Sequence, residues 1–255
     1  MGSSTALVTG ATSGVGRATA LRLAERGWRV GLTSRREGML DELAASVRAM
    51  GGECAWSAAD LGREADVIRA FEDVERALGP IDALVHCAGR GLNRDLVDID
   101  IDEWRATIDA NYTSFFLCAR QAARSMVPRG GGRLVLVSSL AGRFNMPGFS
   151  AYCSSKHAAT SLAVSIRREL RRHGLRVSIT HPYRIDTPFF DGYDQEPNRS
   201  RMLQPDHIAR LLVAMTEGAT LRVAGIRAAN LGRRTWRTLR SVVPASRFSA
   251  AQKRC

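Results

Sequence analysis

Thr5-Ala-Leu-Val-Thr9-Gly10-Ala-Thr12-Ser13-Gly14-Val15-Gly16 is the first legible unit of the chain, and Arg17-Ala-Thr-Ala-Leu-Arg-Leu-Ala-Glu-Arg26 follows it with helical spacing. The apolar run predicts a strand, the glycines a tight turn and the last segment a helix. That order is what a dinucleotide needs. Glycines let the backbone approach closely, and a helix amino terminus presents free N–H groups to a pyrophosphate. The spacing is Gly-x-x-x-Gly-x-Gly rather than Gly-x-Gly-x-x-Gly, and a plain tight turn would explain a glycine cluster alone. Its place between strand and helix favours a cofactor cradle of Gly10, Thr12, Ser13, Gly14, Val15 and Gly16.

The next strand, Arg29-Val-Gly-Leu-Thr33, runs into Ser34-Arg35-Arg36. An NAD site usually carries an acid here for the ribose 2′-hydroxyl. A serine and two arginines suit a 2′-phosphate instead, because guanidinium gives charge-assisted contacts. Glu37 is close by, and an ordinary basic loop is the plain alternative. The expected cofactor is NADP(H), favoured over NAD(H).

Further strand-like runs complete a series at 5–9, 29–34, 53–58, 81–86, 132–138, 175–181 and 220–225, alternating with helical segments. The alternation predicts an α/β fold: one Rossmann-like, doubly wound domain with a mainly parallel, seven-stranded sheet, helices on both faces and right-handed connections. A chain of 255 residues with 45% hydrophobic content can bury one substantial core. Residues 1–217 are expected to form the cofactor-binding catalytic domain, with a substrate flap at about 187–204. Residues 218–255 would add a last strand and a basic extension.

Five cysteines at irregular spacing give neither a disulfide framework nor a metal signature, which fits a reducing cytoplasm. The start runs directly into the first strand, so no signal peptide is expected, and no apolar stretch is long enough to span a membrane. The net charge of +12 is concentrated beyond Gly218, where eight arginines and one lysine meet no acid. A short basic amphipathic helix there would suit an anionic membrane surface, the substrate cleft or a subunit contact, and a solvated basic tail is the plain alternative. Specific nucleic-acid binding is not expected, because no readout motif accompanies the charge.

The chemistry is concentrated in Tyr152-Cys-Ser-Ser-Lys156. Lys156 is one of only two lysines in a chain that otherwise writes its positive charge as arginine. Spacing of four places both side chains on one helical face, where an ammonium favours phenolate and draws the tyrosine toward general acid/base work. An exposed Tyr and Lys on a surface helix is the plain alternative. Upstream, Arg133-Leu-Val-Leu-Val-Ser138-Ser139 reads as a buried strand that delivers Ser139 to the carboxyl edge of the sheet. Trp104, Ile108, Asn111 and Phe115 fall at helical spacing, so the Asn111 amide lies in an apolar stripe and must have a partner.

Taken in order, Thr9-Gly10-x-x-x-Gly14-x-Gly16, Asp60, Ala88-Gly89, Asn111, Ser139, Tyr152, Lys156, Pro182 and Thr187-Pro188 resemble the short-chain dehydrogenase/reductase (SDR) family over roughly residues 5 to 215. The resemblance implies hydride transfer to or from a nicotinamide. In it Tyr152 is the acid/base, Ser139 positions the substrate oxygen, Lys156 lowers the tyrosine pKa and holds the ribose, and Asn111 holds a relay water. Asp60 and Leu61 would border the adenine, and Ala88, Gly89, Pro182 and Thr187 would line the rest of the cofactor. Two departures stand out. The family's Asn-Asn-Ala-Gly is His86-Cys87-Ala88-Gly89, and its Pro-Gly is Pro182-Tyr183.

Phe144, Met146, Pro147 and Phe149 on one side and the 187–204 flap on the other predict an apolar substrate cleft, favouring a hydrophobic ketone or alcohol over a charged sugar. The family commonly pairs as dimers or tetramers through the helices following Asn111 and Tyr152. The alternative function is a catalytically silent NADP-binding sensor or scaffold, and epimerisation or dehydration is a third.

Overall fold

A computed structural model describes residues 4–191 and 198–218. Six strands, β1 (Thr5–Thr9), β2 (Arg29–Ser34), β3 (Cys54–Ala58), β4 (Ile81–His86), β5 (Gly132–Val137) and β6 (Leu175–Thr180), form one sheet in the order β3-β2-β1-β4-β5-β6. Every pairing is parallel. The described sheet has six strands rather than seven. The strand expected at 220–225, the basic segment and part of the flap (192–197) lie outside the described residues.

Strand side chains alternate between two cores, as a period of two requires. Leu7, Leu84, Leu134 and Leu136 pack with Phe71 of α3 (Glu64–Leu78), Phe115 of α5 (Ser114–Met126) and Ala159 of α6 (Ser150–Leu170). The intervening Ala6, Val8, Val85 and Val135 pack with Leu23 of α1 (Gly14–Glu25), Leu43 of α2 (Glu37–Ala49) and Leu212 of α7 (Pro205–Thr216). With both faces covered, the strands read as continuous apolar runs. Arg22–Asp206 at 2.6 Å and Arg26–Glu217 at 2.8 Å join α1 to the α7 segment. Such solvent-facing pairs are screened by water and add little. Burying one large apolar side chain is worth about 1.5–3 kcal/mol. The apolar seam, not the ion pairs, therefore holds this layer.

The chain reverses its winding between β1 and β4, which lie side by side although β2 and β3 intervene in sequence. Open α/β sheets hold their ligands at this crevice, beyond the carboxyl ends of the strands.

Candidate active site

The turn after β1 closes tightly on the end of β4. Gly10 has φ +61°, and a Cβ there would lie 2.9 Å from the Ala88 backbone. At Gly16, a Cβ would collide with the Gly10 carbonyl, so α1 starts directly against the turn. This leaves a backbone-walled cradle at a helix amino terminus, the form a pyrophosphate requires. Arg36 lies across it. Its Nε and Nη2 donate to Thr12 Oγ1 at 3.1 and 2.7 Å, and Nη2 donates to Ser13 Oγ at 3.0 Å. Ser34 Oγ accepts the Arg36 backbone N–H at 3.1 Å and fixes the bend.

A cleft of about 1070 Å³ opens from this cradle. It is lined by Gly10, Thr12, Ser13, Gly14, Val15 and Gly16, by Ser34, Arg35, Arg36, Asp60 and Leu61, and by Ala88, Gly89, Pro182 and Thr187. Ser139, Tyr152 and Lys156 line the same space. Asn111 stands behind the wall, and Phe144, expected on the substrate side with Met146, Pro147 and Phe149, is not among the lining residues. A Cβ on Gly89 would be 2.6 Å from Asn111 Oδ1 and 3.1 Å from Lys156 Nζ, so Gly89 is the thin partition between them.

Asn111 is 1% exposed and sits in a π turn, Asp109–Thr113, between α4 (Ile101–Ile108) and α5. Its Oδ1 accepts Arg90 N–H at 2.9 Å, and its Nδ2 donates to Arg90 O at 2.9 Å and Ser155 Oγ at 3.0 Å. The partner demanded by its apolar setting is therefore the β4 loop and α6. Helical spacing alone gave no sign of the π turn.

Tyr152 and Lys156 are both buried, at 7% and 5% exposure, on the cleft-facing side of α6. Lys156 Nζ lies 5.9 Å from the Tyr152 ring centroid and donates to Val137 O at 3.5 Å. Burial dominates the electrostatics of both groups. Burial pushes the Tyr152 pKa up to about 12, opposed by a hydrogen bond with the Ser139 side chain. Burial pulls Lys156 down to about 8, opposed by Cys87. Burial favours the neutral form of each group. It thus favours the protonated phenol, which has the Ser139 hydroxyl beside it.

Aromatic rings flank Tyr152. Phe149 meets Tyr152 edge-on at 6.4 Å and Phe189 leans on it at 5.4 Å, with Phe190 5.1 Å beyond. Phe189 belongs to the short turn Pro188–Phe190, capped by Thr187, and Arg199 ties the segment through Asp186 at 3.1 Å and Asp191 at 2.5 Å. Tyr183 is 41% exposed on the cleft wall, with the Arg184 guanidinium 5.4 Å over its ring.

Sequence reasoning passed over His86 as a working part. It is 1% exposed and contacts Thr9, Ser114 and the Phe115 ring. Its substitution into the first position of the Asn-Asn-Ala-Gly pattern was the available signal. Burial, with a smaller effect of Lys156, pushes its pKa down to about 3. The unfolded chain therefore takes up this proton first, near the ordinary value of about 6.5. The stability His86 contributes is complete above that value and is lost as pH falls toward 3, at up to about 1.4 kcal/mol per pH unit. Urea unfolding between pH 7 and 4.5 is expected to show a shallower acid loss in His86→Asn than in the wild type.

Among the described residues no cluster of His, Cys, Asp or Glu could hold a metal, and no helix is long and apolar enough to cross a membrane.

Known proteins share this arrangement. The pattern of the short chain dehydrogenase family matches residues 4–198. A 3beta-hydroxysteroid dehydrogenase of Mediterraneibacter gnavus is 34% identical over 183 residues, 71% of this chain and 66% of that protein. The structure of a polyketide ketoreductase of the actinorhodin pathway, a variant bound to NADPH, superposes with a TM-score of 0.78 at 28% identity, covering 85% of this chain and 91% of that one. A short-chain dehydrogenase/reductase of Burkholderia phymatum in complex with NAD gives 0.78 at 25% identity, covering 84% and 86%. The parallel sheet, the glycine cradle and these matches together establish that the chain belongs to the short-chain dehydrogenase/reductase family, as a nicotinamide-dependent oxidoreductase acting between CH–OH and C=O.

Proposed function

We propose that this enzyme prefers NADP(H) and interconverts a ketone and a secondary alcohol on a mostly apolar small molecule, with Tyr152 as the general acid/base. The observation that carries the reading is the meeting of Tyr152, Ser139 and Lys156 in the cleft that also holds the glycine cradle. The cradle fits a dinucleotide, since a Cβ at Gly10 or Gly16 would fill it. A bound nicotinamide supplies or accepts the hydride. Gly10 to Gly16 and Thr12 would hold the diphosphate, Asp60 and Leu61 the adenine, Ala88, Gly89 and Lys156 the riboses, and Pro182 and Thr187 the nicotinamide end.

In the reducing direction Tyr152, protonated at neutral pH, donates its phenolic proton to the substrate oxygen. Ser139 holds that oxygen by hydrogen bonding, and Lys156 stabilises the phenolate left behind. The burial of Tyr152 and Lys156 strengthens each of these interactions. Asn111 bonds Arg90 and Ser155, which keeps the Gly89 wall and α6 in place, and its Oδ1 retains an acceptor position for the expected relay water. An assembly of two or four copies belongs to this reading, and Phe116, 41% exposed on α5, supplies apolar surface for it.

NADPH oxidation followed by absorbance with a panel of hydrophobic ketones tests the reading. Steady turnover supports it, and tight NADPH binding without turnover of any member favours the silent sensor or scaffold. For cofactor choice, Arg36 rather than Arg35 has the guanidinium laid on Thr12 and Ser13, and charge-assisted hydrogen bonds are worth about 1.5–3 kcal/mol. Arg36→Ala is therefore expected to raise the NADPH KM by at least about tenfold while leaving the NADH KM within a factor of about two. Equal shifts for both cofactors would count against 2′-phosphate recognition by Arg36.

A further inference from the structure

His86 ends β4 with both ring nitrogens engaged: Nδ1 is 3.1 Å from Thr9 Oγ1, and Nε2 is 3.3 Å from Ser114 Oγ. Counting protons fixes which nitrogen carries the hydrogen. Thr9 Oγ1 already accepts the backbone N–H groups of Cys87 and Ala88, each at 3.2 Å, which leaves the threonine proton to be given to Nδ1. Ser114 Oγ gives its own proton to the Ala110 carbonyl at 2.8 Å, which leaves its oxygen to accept Nε2–H. Only the neutral imidazole with its proton on Nε2 satisfies both neighbours. A second proton, on Nδ1, would face the hydroxyl proton of Thr9, and Lys156 adds a like charge from α6.

One continuous hydrogen-bond chain therefore runs from the backbone of Cys87 and Ala88 through Thr9, the imidazole and Ser114 to Ala110. Both of its ends are working parts. Thr9 immediately precedes Gly10, the residue packed on the Ala88 backbone. Ala110 lies in the π turn that carries Asn111 and, through it, the Gly89 wall.

We propose that His86 is a positioning residue that acts through Thr9 and Ser114 to hold the glycine turn and the π turn in register, and so sets the affinity for the nicotinamide cofactor. The inference rests on the cofactor reading of the cleft. An imidazole suits this task because its two nitrogens point toward different elements. An asparagine amide can stand in for Nδ1 and keep the Thr9 arm, a glutamine amide can stand in for Nε2 and keep the Ser114 arm, and a phenylalanine fills the volume with neither.

The test measures NADPH dissociation constants and kcat at saturating cofactor for wild type, His86→Asn, His86→Gln and His86→Phe, beside thermal unfolding of each. Losing both arms is expected to weaken NADPH binding about tenfold or more, and losing one arm only severalfold, with kcat at saturation changing less than affinity. A phenylalanine variant that melts earlier but binds NADPH like the wild type overturns the proposal, because a space-filling role predicts that result. Wild type that binds neither NADPH nor NADH overturns the cofactor reading instead. A measurement on the wild type stands even if variants fail to fold: nitrogen NMR of the histidines is expected to show His86 protonated only at Nε2 and untitrated from pH 7.5 to about 5.5. A proton on Nδ1, or a titration near the ordinary value, overturns the chain and with it the proposal.

Discussion

Tyr152→Phe is expected to lower kcat by about 10²–10⁴-fold while leaving the NADPH dissociation constant within a factor of about two. The substitution removes one oxygen from a ring that stays packed between Phe149 and Phe189, so the fold and the aromatic wall survive. What disappears is the proton donor beside Ser139. Single-turnover measurement of NADPH oxidation, with cofactor binding followed separately by fluorescence, checks both halves. Turnover equal to wild type would remove Tyr152 from the mechanism, and a collapse of cofactor binding would make it a structural residue instead.

Lys156→Arg is expected to cost about 10²–10³-fold in kcat/KM although the formal charge is kept. Lys156 is 5% exposed, and its single nitrogen reaches the Val137 carbonyl while lying under the Tyr152 ring. A guanidinium is larger, planar and unable to release its proton, so it cannot occupy the same point between Gly89 and Val137. Because burial brings Lys156 down to about 8, wild-type kcat/KM for ketone reduction should decline as pH rises through that region and the ammonium is lost. The arginine variant should lack this decline, since its side chain stays charged. A pH–rate profile of both proteins decides. An unchanged alkaline limb in the variant would assign that limb to another group.

Much of this molecule could be read before any coordinate. The strands expected at 5–9, 29–34 and 81–86 have those bounds in the structure, those at 53–58, 132–138 and 175–181 overshoot by one residue at an end, and the one at 220–225 lies outside the described residues. Such accuracy follows from burial on both faces, which makes each strand a short apolar run set between glycines and polar residues. The Tyr152-to-Lys156 spacing was legible for a similar reason, because a single helix carries both side chains.

What escaped notice depends on residues far apart in sequence. The burial that raises the pKa of Tyr152 comes partly from Phe189, 37 positions away, and no local pattern announces its extent. His86 meets Thr9 across 77 positions and Ser114 across 28. Arg35 and Arg36 are indistinguishable as letters, yet only Arg36 is laid across the glycine turn by the bend at Ser34. The π turn at Asn111 breaks a helical spacing that reads as regular.

The β1–β4 seam has a consequence for how such a protein can change. Parallel strands all finish at the same rim, so the groups around the cleft are carried by loops and by the start of α6 while the two cores lie below them, out of reach. A new molecule can be accommodated by rewriting the segments around Met146 or Phe189, with Leu7 and Phe71 left alone. Retooling and structural integrity are thereby uncoupled, and variants that shift preference among ketones should melt at nearly the parental temperature.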